Sequence, residues 1–198
     1  MEKIIKGIIV TFFISTSFAS QTFVVGEVFT ATWWPYCPSA RAGLNQMMNE
    51  LDNFIPLIWE SDGHFSPHCS ERDNMYAVAG IPHAAFQGQE MIVGGIGGGN
   101  MYSYYMPVYN QFVFDNSPVY MDITMLTNAS GGVDIEADVV MTGNINTTNN
   151  KILFMLTYYY SATYCATVSR YHEEPFSLNL TGQEATFSHS FDLENSWD

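Results

Sequence analysis

The sequence predicts an α/β domain, a mixed sheet flanked by helices, followed by an all-β, sandwich-like domain. Three observations predict it. Over residues 20–114 the apolar periodicity alternates between strand and helix, in the order strand, helix, strand, helix, strand, strand, helix. Over residues 115–198 it changes to short runs of period two separated by Gly and Asn turns. The 198 residues are 47% hydrophobic and 15% aromatic, which is enough to pack cores and excludes a disordered chain.

The elements follow in order. Thr22–Val25 and Val28–Trp34 read as a β-rich run, closed by a turn at Pro35-Tyr36-Cys37-Pro38. Ala40, Leu44, Met47, Met48 and Leu51 then recur at spacings of three and four, predicting a helix. Ser39 is placed to cap it, with Arg41, Asn45 and Asn49 on its other faces. Ile55–Trp59 reads as a buried strand, Asp62–Ser70 as a polar loop and Glu71–Val78 as a short helix. Gly80-Ile81-Pro82 is a turn. His83–Phe86 and Glu90–Val93 form a hairpin around Gln87-Gly88. The glycine run 94–99 leads into a helix over Met101–Phe112, with Pro107 as a possible break. Asn116-Ser117-Pro118 reads as a linker. Beyond it, Met121–Leu126 and Val133–Val139 alternate, the second run with acids on its outer face. Ile152–Tyr160, Phe176–Leu180 and Ala185–Phe191 complete the set of strands. The chain stops at Asn195-Ser196-Trp197-Asp198 with no closing element, as a truncated sandwich would.

Residues 1–19 read as a secretory signal: Lys3 and Lys6, an apolar run at Ile8–Phe13, and small residues at Ser17-Phe18-Ala19. The expected location is therefore exported: periplasmic, cell-surface or extracellular in a bacterium. No later stretch is long and apolar enough for a membrane span. A net charge of −14 repels phosphate backbones and argues against nucleic-acid binding. The polar residues carry no cofactor motif. The glycine run lacks the spacing of a dinucleotide or phosphate loop and is explained as a close-packed turn. His64, His68, Cys69 and Asp62 cluster in sequence but match no defined metal spacing, so no metal is assigned.

Phe29–Pro38 resembles the active-site stretch of thioredoxin-fold proteins, where a strand ends in Trp-Cys-x-x-Cys and a helix starts within the motif. Gly80-Ile81-Pro82-His83-Ala84-Ala85-Phe86 resembles the second signature of that family, a turn whose proline is cis and faces the redox pair. The resemblance covers roughly residues 22–112. The strand-rich remainder resembles, in domain order, the β-domain of bacterial surface proteins related to the Omp28 family. The chain departs from the family at one decisive place. Trp34 stands where the attacking cysteine belongs, and Cys37 matches only the second, resolving cysteine. Indole forms no mixed disulfide, and a dithiol cycle needs two thiols within reach.

Two functional readings follow. In the first, the chain binds a polypeptide or an envelope protein partner, as a peptide-binding or surface-assembly component. Its contact residues are Trp34, Pro35, Tyr36, Ile81, Pro82 and His83, with Trp33 packed inward. In the second, it is a thiol–disulfide oxidoreductase working through Cys37 with Cys69 or with an external thiol. His83 has two readings, a cation acting on the Cys37 thiol or, more commonly at such a place, a side chain that hydrogen-bonds locally. Cys165 reads as a buried structural thiol.

Overall fold

The computed structural model describes residues 20–21, 23–62, 66–159, 161 and 165–193. The expected signal, residues 1–19, the closing residues 195–198 and His64 lie outside them. In chain order the elements are β1 (Ser20–Gln21), β2 (Val24–Thr30), α1 (Cys37–Glu50), β3 (Phe54–Glu60), α2 (Cys69–Met75), β4 (His83–Phe86) and β5 (Glu90–Val93). They continue with α3 (Tyr102–Phe112), β6 (Asn116–Ser117), β7 (Val119–Thr127), β8 (Val133–Met141), β9 (Lys151–Tyr158), β10 (Thr167–Pro175) and β11 (Glu184–Phe191). An α/β domain is thus followed by a β domain. Pro107 lies inside α3 without ending it.

The main sheet has six strands in the order β5-β4-β2-β3-β10-β9. Alternation along the strands divides its residues between two cores. On one face Val24, Val28, Phe54, Ile58, Ala84 and Phe86 pack beneath α1 and α3, against Leu44, Met47, Tyr105 and Tyr109. On the other, Phe29, Leu57 and Trp59 pack with Cys69 and Val168 under the shorter α2. Pro56 sits within β3 without breaking a ladder. Its neighbour Ile58 donates toward Ala166 at the β10 side, so Pro56 lacks its N–H on that same edge, before β10 joins at Ile58.

The β-domain differs from the sequence reading in three places. Asn116 and Ser117 are not a free linker but pair antiparallel with β1. Phe176–Leu180 is not a strand; Phe176 and Leu178 lend their side chains to the second core from an extended segment. The strand that was missed is β10, which pairs parallel with β3 and antiparallel with β9. The sandwich is therefore formed between a three-stranded sheet, β11-β8-β7, and the β9 end of the main sheet. Val133, Ile135, Ala137 and Val139 of β8 face Ile152 and Phe154 of β9. Asp134, Glu136 and Asp138 project outward from β8, as the alternation predicts.

Two buried ionic clusters tie helices to the main sheet. Arg41 of α1 donates to Glu60 of β3 from both Nε (2.7 Å) and Nη2 (3.0 Å). Thr30 Oγ1 adds a third bond to that carboxylate at 2.8 Å. Arg41, which lies on a different helix face from the apolar stripe, is nonetheless only 1% exposed. On the opposite face Glu27 accepts from Trp59 Nε1, from Arg72 of α2 and from the Tyr76 hydroxyl, which pins α2 to the sheet. Removing one member of a buried pair strands the other charge. Arg41→Ala is therefore expected to lower unfolding free energy by about 3–5 kcal/mol, read as a shift in the urea midpoint at unchanged slope.

Candidate functional site

The site lies where β2 and β3 end and β4 begins. After Thr30 the chain leaves the sheet through Ala31–Tyr36 and enters α1 at Cys37. Asp62 pins this loop, accepting from the Thr32 amide (2.7 Å) and the Thr32 hydroxyl (2.8 Å). The loop carries three exposed rings. Trp33 is 67% exposed, Trp34 36% and Tyr36 41%. Trp33 meets Trp34 edge-on at 5.5 Å, and Trp34 meets Tyr36 at 5.9 Å. The expectation that Trp33 packs inward is overturned. β2 has already ended at Thr30, so the in–out alternation of a strand no longer governs position 33.

Opposite this loop the Ile81–Pro82 peptide bond is cis. The glycine run closes the gap between the two. A Cβ on Gly95 would lie 2.5 Å from the Tyr36 carbonyl oxygen, 2.8 Å from Ser39 Oγ and 3.1 Å from Pro82 Cγ, so only glycine brings the three segments this close. Ser39 sits inside α1 rather than capping it. Its hydroxyl donates to the Tyr36 carbonyl (2.8 Å) and accepts from the Ile96 amide (3.0 Å). Ser39 and Gly95 thus position the aromatic loop against the Pro82 turn. In the sequence both were overshadowed by simpler roles, a cap and a turn.

Cys37 is buried, and its Sγ accepts from the Ala31 amide at 3.5 Å. Burial is the dominant influence and pushes its thiol pKa up, ahead of the Ala31 bond and the nearby Arg41, which pull it down. Cys69 is the first residue of α2, not part of the preceding loop, and burial raises its pKa to about 12. Cys37 opens the helix that covers one face of the sheet, whereas Cys69 packs with Phe29, Leu57 and Trp59 on the other. Both are free, as is Cys165, which is buried in the core beneath α1. His68 lies beside the Tyr171 ring, 4.9 Å between centroids.

His83 fits neither of its two readings, cation or locally hydrogen-bonded side chain. It pairs with Phe29 in the β2–β4 ladder, sets its ring edge-on to Phe29 at 6.3 Å and is 5% exposed. Neither ring nitrogen has a hydrogen-bond partner among the described residues. Burial lowers its pKa, so the imidazole is neutral near pH 7. Its contact with Phe29 puts it on the face of the sheet away from α1.

An α/β sheet with a cis-proline turn facing a helix N-terminus, followed by a β-domain, is a thioredoxin-like fold with a β-domain after it. Among solved structures the chain is similar to HBP35 of Porphyromonas gingivalis, with a TM-score of 0.66 at 15% identity. The match covers 88% of this chain and 65% of that one, so the chain spans about two thirds of its structural neighbour. No family model and no curated protein matches, and the resemblance of the second half to Omp28-related proteins gains no support from these comparisons.

The burial of His83 has a pH signature. Its native pKa is depressed below the ordinary 6.5 of the unfolded chain, so the unfolded state takes up the proton first as pH falls. Stability is full above about pH 6.5 and is lost below it, and His189, also depressed by burial, acts with the same sign. The thermal midpoint is expected to fall between about pH 7 and 5, and His83→Leu to flatten that fall; an unchanged slope would place the titration elsewhere.

Proposed function

We propose that this protein is an exported, thioredoxin-like polypeptide-binding component of a bacterial envelope or surface, without ordinary dithiol turnover. The observation that carries the reading is the exposed Trp33–Trp34–Tyr36 cluster beside the cis-Pro82 turn, with a single buried thiol behind it. Flat rings on a short, pinned loop offer large contact area at low entropic cost. An extended segment laid along the Pro82 turn would meet backbone on one side and rings on the other, a form of strand addition. No helix among the described residues is long and apolar enough to cross a membrane.

The redox reading has less support. A thiol nucleophile must ionise and be reachable, and Cys37 and Cys69 are both buried with raised pKa values. Binding of a reduced, unfolded polypeptide, followed by isothermal calorimetry, is expected to weaken at least about tenfold on Trp34→Ala and on Trp33→Ala, the loss typical of an aromatic anchor. Equal affinities for the wild type and both variants would remove the aromatic loop from the function.

A further inference from the structure

Two histidines meet where the two sheets of the sandwich come together. His172 lies on β10 of the main sheet and His189 on β11 of the three-stranded sheet, so their strands belong to different sheets. Their rings stack face to face, 3.8 Å between centroids and 6° from parallel. Phe154 of β9 leans on both, 6.4 Å from His172 and 6.0 Å from His189. Phe191 sets its edge against His189 at 4.5 Å. Both imidazoles are half-buried. Phe154 and Phe191 belong to the core that joins the two sheets, so the stacked pair continues that core on its β10–β11 side.

Such a contact suits neutral rings and not charged ones. Flat rings in parallel contact attract one another. Two imidazolium cations in the same place set unit charges 3.8 Å apart, among phenyl rings that displace water. The charges around the pair do not cancel two protons. On β10, Glu174 lies two residues from His172 on the same strand face, its Oε1 buried and without a hydrogen-bond partner among the described residues. That carboxylate can offset one cation. Arg170, two residues the other way, adds a positive charge, its Nε donating to the Asp192 carbonyl at 3.4 Å. On β8, Asp134 and Glu136 flank Ile135, the residue opposite His189, but project from the outer face. β9 presents Phe154 opposite His172 and Ile152 opposite Glu174, and its Lys151 is held by Glu173. On β11, Phe187 and Phe191 flank His189 on its own face, and Asp192 beyond them is exposed. Burial first, and then His172, lowers the pKa of His189, and Glu174 only partly opposes them.

We infer that the His172–His189 stack is an acid-sensitive latch between the main sheet and the three-stranded sheet. It is closed while both rings are neutral. A second proton parts the rings and frees the β11 side of the sandwich from β10. The open form takes up protons that the closed form resists, so the latch is closed above the ordinary imidazole value of about 6.5 and opens as pH falls below it. β8 stays packed on β9 through Ala137, Val139 and Ile152, so the opening is local.

Hydrogen exchange of the whole chain between about pH 7.5 and 5, corrected for the intrinsic pH dependence of amide exchange, reads the latch strand by strand. Over that range the protection of β10 and β11 amides is expected to fall at least about tenfold more than that of β2 amides. His189→Phe keeps a flat ring and carries no proton, and is expected to abolish that excess. His172→Phe is expected to do the same from the other sheet, so a folding failure of one variant leaves the other to decide. His83→Leu is expected to keep the excess, since it removes a titration on the first domain alone. Equal loss of protection in β11 and β2, an excess that survives both phenylalanine variants, or one that vanishes in His83→Leu would each overturn the inference.

Discussion

The bidentate contact between Arg41 and Glu60 is the constraint on which the candidate site rests. Glu60 closes β3, Thr30 closes β2, and Arg41 lies one helical turn beyond Cys37, so one carboxylate gathers the ends of two strands and the start of a helix. Ser66 adds a fourth segment, its hydroxyl accepting from the Glu60 amide and its own amide donating back to the Glu60 carbonyl. Charges this deeply buried are tolerated only when paired and hydrogen-bonded, so the geometry admits little variation. The loop that carries the rings starts and ends on residues fixed in this way.

Two opposing effects act on Cys37. It stands at the first turn of α1, where the helix dipole favours a thiolate by up to about 2 kcal/mol. It is also fully buried, and desolvation, helped by the nearby Glu60 and Asp62 carboxylates, outweighs the Ala31 hydrogen bond and Arg41, so its pKa is raised. At this end of the sheet the thiol is covered and the rings are exposed.

Much of the first domain was legible because its signals are periodic. The hairpin at Gln87-Gly88 and the helix through Leu44 and Met47 follow from spacing alone, and the cis bond at Pro82 was anticipated from the family signature. What failed did so for identifiable reasons. β10 reads Thr-Val-Ser-Arg-Tyr-His-Glu-Glu-Pro, and a register shift between Val168 and Arg170 breaks its alternation, so no strand was legible there. Phe176 and Leu178 are apolar because they fill the second core, and apolarity without ladder partners was mistaken for a strand. The burial of Arg41 was not legible because an arginine on a helix is ordinarily solvated; its partner Glu60 is 19 residues away, and nothing local announces the pair. Of the two readings of His83, burial disfavours the cation, and no hydrogen-bond partner among the described residues supports the other.

Under the proposed function, the indole at position 34 stands where a dithiol cycle would need a second thiol. Replacing Trp34→Cys restores the Cys-x-x-Cys spacing with Cys37, and catalysed insulin reduction by the wild type and the variant compares the two directly. The variant is expected to form a 34–37 disulfide and to gain turnover over a wild type that has none. A wild type that already turns over as fast as the variant would contradict the claim.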